Sequence, residues 1–421
     1  LVYCSSPLRA RELAKNYLNF LIKMDAKPND ELLLNGWIKE NISEKWSLLD
    51  ELRYGIAFHD ASLQRHISSS IIDYFNQRKL NCIFCTTTII EGVNTSAKNV
   101  VFFDGKKGRN YIDYFDYNNI KGRSGRLMEH YVGSVYNFIK PPLKEEIIID
   151  IPFFEQDPEV IVDEILVNIP KDDVKERLKD HYEQLNNSIE PDLLEIIKRN
   201  GTFIKGQVDI YYQLKKDLKN QYHNISWTQL PTNDNIKYIL NLAVDNLFTF
   251  GKNIYTLQDL VFKIEKYRNT KNMMSIVENM YEYSLKRNFT DKGVKITSDD
   301  EAIYYDKAIE AAFGVYRYWF QYTVPKAFRV IDSIQRYLCE KNNLDAGSYS
   351  YFVQQLENDF VQPNLTILIE YGVPSSMLNK LERYVSKDMD EDEVLSHIKE
   401  YKHLLEREVL PYELEKLNRL F

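Results

Sequence analysis

Short apolar runs alternate with helical spacing over the first 140 residues. Leu1-Val2-Tyr3-Cys4 is a β-type run closed by Ser5-Ser6-Pro7. Apolar positions then recur at Ala10, Leu13, Ala14, Tyr17, Leu18 and Leu21, the period of a helix. Residues 26–50 read as a polar insertion with short helical pieces. Gly55-Ile56-Ala57-Phe58 predicts a second strand, closed by His59-Asp60, and Ile67, Ile71, Tyr74 and Phe75 line one face of a helix over 62–78. Residues 81–85 and 99–103 predict two further strands, 118–128 a helix, and 132–138 a final strand. This alternation predicts an α/β domain over 1–140, built on a parallel sheet with covered faces.

Near 141 the pattern changes. Pro141-Pro142 and Ile151-Pro152 punctuate the chain, with a β-like Ile147-Ile148-Ile149 between them. Beyond 158 the spacing predicts a mostly α-helical region, with helices over 190–200, 205–219, 232–250, 255–287, 300–340, 347–360, 374–386 and 391–420 among others. Breaks fall at Asn200-Gly201, Pro231, Gly251, Asp345-Ala346-Gly347 and Gly372-Val373-Pro374. Residues 141–225 are expected to form a linker and a candidate winged-helix-like unit, and 226–421 a helical bundle.

Chemistry concentrates between 81 and 126. One predicted strand runs into Thr86-Thr87-Thr88-Ile89-Ile90-Glu91-Gly92-Val93-Asn94. Past the next strand comes Asn119-Ile120-Lys121-Gly122-Arg123-Ser124-Gly125-Arg126. Ligands of open α/β sheets bind at the carboxyl ends of strands, where both segments are expected. Hydroxyls and glycine amides suit phosphate oxygens. Two arginines three residues apart at a helix start would present guanidinium forks to a polyphosphate.

Charge and cysteine content narrow the picture. The net charge of −8 excludes a simple basic nucleic-acid coat protein, so nucleic-acid contact would be local to a cleft. The cysteines Cys4, Cys82, Cys85 and Cys339 do not form a disulfide framework. Cys82 and Cys85 lie inside a predicted strand, where a spacing of three puts the side chains on opposite faces, so they are expected to be core and no metal site is expected. There is neither a run of 18 apolar residues nor a signal peptide, and a cytoplasmic placement away from membranes is expected. The acidic run Asp388–Glu393 fits a solvated helix N-terminus.

Four segments, in order, resemble the second RecA-like motor domain of superfamily-two helicases, nearest the superkiller-type DExH group. Leu1–Ser6 resembles the motif IV strand. Gly55-Ile56-Ala57-Phe58-His59-Asp60-Ala61-Ser62-Leu63 resembles "G-V-A-x-H-H-A-G-L". Thr86–Asn94, followed by Thr95-Ser96-Ala97, resembles motif V, and Asn119–Arg126 resembles motif VI, "Q-x-x-G-R-A-G-R". Asn119, Ser96 and Asp60 stand where the family has glutamine, proline and a second histidine. The departure at Asn119 bears on its nucleotide-side role.

The resemblance implies roles residue by residue. Arg126 would be the arginine finger, with Arg123 beside it, a function worth about 10³ to 10⁵ in rate. Gly92, Asn94, Asn119 and Gly122 would approach the nucleotide. Thr86, Ser5 and Ser6 would contact nucleic-acid phosphates, with His59 and Arg65 near the same backbone track, positioning the strand without reading bases. The ordinary readings stand beside these: a surface ion pair for either arginine, a cap for Thr86, a structural role for His59. ATP and Mg would be held mainly by a first motor domain, since the chain lacks G-x-x-x-x-G-K-[ST]. Asp163-Glu164 reads as a chance match to the DExH box. Leu1 lies mid-strand without a preceding methionine, which reads as a fragment, with the first motor domain expected upstream.

Family members carry a winged helix and a helical ratchet after the motor. Residues 187–220 are the candidate for the first, and 300–340 for the second. The latter carries Phe313, Tyr316, Trp319 and Phe320 at helical spacing, then Pro325, Lys326, Arg329 and Arg336. Either the aromatics stack bases beside cations, or they are core and the cations solvated. The implied function is an ATP-dependent DNA or RNA helicase or translocase, acting on single-stranded or duplex nucleic acid. The alternatives are a helicase-type defence sensor that signals to a nuclease or other protein partner, and a non-catalytic scaffold with a degenerate motor.

Overall fold

The computed structural model describes residues 1–90, 97–125, 132–144, 156–293 and 295–421. Five parallel strands form one sheet: β1 (Val2–Tyr3), β2 (Ile56–His59), β3 (Cys82–Cys85), β4 (Asn99–Phe102) and β7 (Ser134–Asn137), in the order β2-β3-β1-β4-β7. The expected RecA-like parallel sheet is therefore present. Strands β5 (Lys106–Lys107) and β6 (Asn110–Tyr111) make a separate antiparallel hairpin between β4 and the next helix. Its two-residue turn needs a positive φ, which Gly108 supplies at +62°.

The sheet is covered as its apolar pattern demands. Helix α1 (Pro7–Lys23) starts with proline in its first turn and the Ser6 hydroxyl accepting from the Arg9 amide at 3.2 Å. It buries Ala10, Ala14 and Leu18, and small residues let it lie close to the strands. Every residue of β2 is buried although it is an edge strand, because helices pack over it as they do over a parallel sheet. The "polar insertion" is half core. Helices α2 (Leu33–Asn41) and α3 (Leu48–Arg53) bury Leu34, Trp37, Ile38, Leu48, Leu49 and Leu52. Helix α4 (Arg65–Asn76) buries His66, Ile67, Ser70, Ile71, Ile72 and Tyr74. Cys82 and Cys85 sit in β3, where burial pushes the thiols up to about 11 and about 12, so both stay protonated.

Two compact units emerge. The first gathers Leu1–Glu146, Asn272–Phe313 and Val361–Phe421; the second gathers Ile147–Lys271 and Gly314–Phe360. In the first, Trp46 packs against Phe58 and Phe313, and the C-terminal segment closes its own core around Leu365, Leu368, Met377, Leu378 and Leu381. Tyr412 brings that segment to α4, bonding to the Ser70 hydroxyl at 2.8 Å.

The second unit is helical. Helices Pro191–Asn200 and Ile204–Asp217 are joined by a tight turn with Gly201 at φ +56°. Three long predicted helices are interrupted for local reasons. That over 232–250 ends at Ala243, before the left-handed Asp245. That over 255–287 breaks at the left-handed Lys271. That over 391–420, in the first unit, stops at Leu405 and restarts at Pro411. The stretch 298–341 is helical throughout, with a π-helical segment at Tyr316–Thr323 and Pro325 in the first turn after it.

Candidate nucleotide and nucleic-acid interface

Parallel register sets one edge of the sheet. Tyr3 pairs with Cys85 and Phe102, and Cys85 with His59, so the next residues of each strand share the carboxyl edge. Ser5, Ser6, Asp60, Thr86 and Asp104 follow their strands there. Connections leave β1 and β4 toward opposite sides of the sheet, which makes their ends the topological switch point, where open α/β sheets take ligands.

The hydroxyls on this edge are already engaged. Ser6 caps α1. The Ser5 amide and hydroxyl both donate to Asp104 Oδ2, at 3.0 and 3.1 Å. Thr86 is buried, with its hydroxyl 3.0 Å from that of Thr88. His59 is 5% exposed, and its Nδ1 has no hydrogen-bond partner. Burial lowers its pKa, against the opposing pull of Asp60, and holds the ring neutral. Arg65 opens α4 and is exposed.

Asp60, the departure from the family pattern, has a partner the sequence did not suggest. Its buried carboxylate accepts from Arg11 Nε and Nη2 at 3.2 and 3.0 Å, and from the Ser62 amide and hydroxyl at 2.8 and 2.5 Å. Arg11 lies on α1, 49 residues away, with its guanidinium 5.0 Å from the Phe58 ring centroid. Helical spacing alone marks Arg11 only as a polar position.

The segments resembling motifs V and VI are joined through the backbone. The Ala97 amide donates to Arg123 O at 3.0 Å, and the Gly125 amide donates to Ala97 O at 2.9 Å. Helix α5 (Tyr114–Lys121) packs on the 3₁₀ turn Thr87–Ile90. Asn119 is half-buried on α5, Gly122 caps its end and Arg123 is half-buried just beyond. Among the described residues the expected helix over 118–128 differs: α5 ends at Lys121 and Arg123 sits in the turn after it, while 126–128 lie outside the described residues. The helix begins at 114 because Asp113 caps its start, accepting from the Asp116 amide at 2.7 Å, and Gly125 turns the chain at φ +71°. Gly133 is a residue the sequence reading passed over. A Cβ there would lie 2.4 Å from Gly125 N and 2.5 Å from Ser124 C, so only glycine lets the chain entering β7 pass this loop. Gly92, Asn94 and Arg126 lie outside the described residues.

Lys326 and Arg329 belong to the second unit. Lys326 is half-buried, and exposed Arg329 pairs with Glu357. Phe313, Tyr316, Trp319 and Phe320 are all buried, so the core reading of that aromatic stripe holds and the stacking one fails. Tyr316 and Tyr267 both donate to buried Asp359, at 2.6 and 2.7 Å. Asp163 and Glu164 lie in a short helix, where Asp163 meets His181 at 2.7 Å and Glu164 accepts from the Ile204 amide at 3.1 Å. Both are structural contacts. Among the described residues no helix is long and apolar enough to cross a membrane.

Comparison with known proteins agrees with this edge. Residues 15–128 match the model of the helicase conserved C-terminal domain. The chain is 26% identical over 422 residues to anti-bacteriophage protein B of Escherichia coli (strain K12), covering 97% of this chain and 55% of that protein. It is 31% identical over 143 residues to the ATP-dependent DNA helicase Hel308 of Thermoplasma volcanium, covering 32% of this chain and 20% of that one. For Hel308 of Pyrobaculum calidifontis the identity is 36% over 84 residues, 19% of this chain and 12% of the relative. The chain thus spans little more than half the length of the first of these relatives and far less of the others. The five-stranded parallel sheet, the described parts of these segments at its carboxyl edge and the matches agree: this part of the chain is a helicase C-terminal domain of RecA-like fold, similar to those of superfamily-two helicases.

Proposed function

We propose that the chain is the C-terminal half of an ATP-dependent translocase or helicase, supplying one wall of an ATP site and part of a strand track. The observation that carries this is the backbone stitch from Ala97 to Arg123 and Gly125. Any shift of the arginine loop on closing around nucleotide is passed through the backbone to Ala97, at the end of the segment resembling motif V. Arg126 acts as the finger and Arg123 beside it. Gly92, Asn94, Asn119 and Gly122 face the nucleotide. Thr86, Ser5, Ser6, His59 and Arg65 face the strand, and Lys326 and Arg329 of the second unit are further nucleic-acid contacts.

Glycine, arginine and hydroxyl donors at a strand edge fit the phosphates of ATP-Mg as one half of a site. The other half, with most of the Mg contacts, lies on a first motor domain that precedes this one. ATP supplies the phosphoryl bond whose hydrolysis drives closure and opening. Residues 1–140 carry the motor fold, 141–225 a linker and winged-helix-like unit, and 226–421 a helical region whose parts are shared between the two units. The test is ATP turnover stimulated by single-stranded DNA or RNA in the protein containing both motor domains. Arg126→Ala should lower it by about 10³ or more. Turnover unchanged by Arg126→Ala would leave the degenerate-scaffold reading, and clear turnover by this chain alone would overturn the half-site.

A second reading is favoured by one observation. The relative that spans 97% of this chain is named an anti-bacteriophage protein. The same motor would then sense foreign nucleic acid and signal to a nuclease or other protein. Copurification of a nuclease, lost when nucleic acid is removed, would select it.

A further inference from the structure

At the switch point between β1 and β4, three donors converge on one oxygen. The Ser5 amide and hydroxyl reach Asp104 Oδ2 at 3.0 and 3.1 Å, and Arg9 Nε approaches it at 3.6 Å. Backbone N–H, hydroxyl and guanidinium aimed at a single anionic oxygen are the groups that hold a phosphate oxygen. The site is rigidly framed. Ser5 O accepts from the Gly108 amide at 2.8 Å, and the Tyr3 hydroxyl donates to Lys106 O at 2.9 Å, which pins the β5–β6 hairpin beside it. Arg9 is further held by Glu12 at 3.8 Å and by the Phe103 ring, 5.7 Å away. The Asp104 side chain is 19% exposed, so the position opens to solvent rather than into the core.

A carboxylate here has an electrostatic consequence. A strand phosphate cannot take the Ser5 donors while Asp104 holds them, because two anions on one set of donors repel. We propose that Asp104 is a built-in phosphate surrogate, an autoinhibitory contact that occupies the strand-phosphate site of Ser5 and Arg9 until a nucleic-acid phosphate displaces it. This rests on the reading of Ser5 as a strand contact and adds how that contact is gated. Binding therefore requires exchange of one anion for another, which weakens non-specific capture of single strands and makes engagement conditional.

The experiment uses the whole chain with Asp104→Ala, which vacates the donors, and Asp104→Asn, which keeps an acceptor but removes the charge. Affinity for a fluorescein-labelled oligothymidylate is read by anisotropy across a salt series. Both variants should bind about tenfold tighter than the parent, one charge-assisted contact being worth about that factor. The slope of log affinity against log salt should steepen by about 0.7, the value for one added single-strand phosphate. Adding Ser5→Ala to either variant should shrink the gain, because it removes the hydroxyl and leaves the Ser5 amide and Arg9 as donors. Weaker binding in the variants, or a gain undiminished by Ser5→Ala, overturns the proposal, the latter because net charge alone would explain it. A second arm separates this failure from failure of the strand reading: thermal unfolding in inorganic phosphate against chloride at equal ionic strength. If phosphate stabilises Asp104→Ala but not the parent, while no form binds the oligonucleotide, the surrogate stands and the strand track falls. If phosphate stabilises parent and variant alike, the surrogate falls. Should Asp104→Ala not fold, Asp104→Asn carries both arms.

Discussion

The Arg11–Asp60 pair offers a measurable test of how this domain accommodates its departure from the family pattern. Arg11→Met keeps an unbranched side chain over Phe58 and removes the cation. Asp60 is then a carboxylate with 0% side-chain exposure that keeps, among the described residues, the two Ser62 donors. Breaking one partner of such a buried pair costs about 3–5 kcal/mol. Arg11 also donates to the Ser62 hydroxyl at 2.6 Å, and its contact to Glu310 at 3.5 Å involves a carboxylate 33% exposed and contributes less than about 1 kcal/mol. The loss of charge compensation at Asp60 therefore dominates. Because the chain has two units, global melting is a poor readout, and local opening is better followed by amide hydrogen exchange with mass spectrometry. Peptides covering 7–23 and 56–63 should exchange at least about 100-fold faster in Arg11→Met, the factor that about 3 kcal/mol implies. Arg11→Met with Asp60→Asn should recover most of that loss, since the amide carries no charge to bury. Exchange within threefold of the parent, or a double variant no better than the single one, would refute the reasoning.

Other consequences follow from buried groups and close approaches. Glu51 is fully buried with neither carboxylate oxygen hydrogen-bonded, and burial together with Asp306 pushes it up to about 8. An acid raised on folding contributes its stability below the unfolded pKa near 4.5 and loses it as pH rises toward 8, so Glu51→Gln should stabilise the first unit by up to about 3 kcal/mol at pH 7 and by little at pH 4.5. Chemical denaturation at the two pH values reads the difference, and an equal effect at both would exclude it. Gly133→Ala forces the Ser124–Gly125 loop aside, so it should cost about 1–3 kcal/mol and lower nucleic-acid-stimulated ATP turnover of the two-motor protein more than tenfold; normal turnover would show that the loop position is immaterial. Trp319→Ala should cost about 3–5 kcal/mol in the second unit, because the indole is fully buried and donates to Lys252 O at 3.2 Å. Unfolding by urea checks it, and a loss below about 1 kcal/mol would reopen the stacking reading.

Local pattern alone determined a good deal of this protein. Alternating β and helical periods specified a parallel sheet, since βαβ connections require it. Thr86, Gly92, Arg123 and Arg126 after predicted strands pointed to phosphate binding, and the resemblance of four ordered segments to superfamily-two helicases pointed to a motor domain. Period reports that a residue is buried, however, and not what buries it. That is why the polar insertion proved to hold part of the core, and why Tyr316, Trp319 and Phe320 suited a stacking face as well as a packed one. Helical period also missed the π-helical segment, because its wider turn is stabilised by neighbours such as Lys252 and Asp359 that lie far along the chain. Tertiary structure alone decided the strand order, the association of 272–313 and 361–421 with the sheet, and the end of α5 before Arg123. It also decided the partners of the charged groups. Arg11 with Asp60 and Ser5 with Asp104 meet across 49 and 99 residues, and such hydrogen bonds leave no periodicity to read.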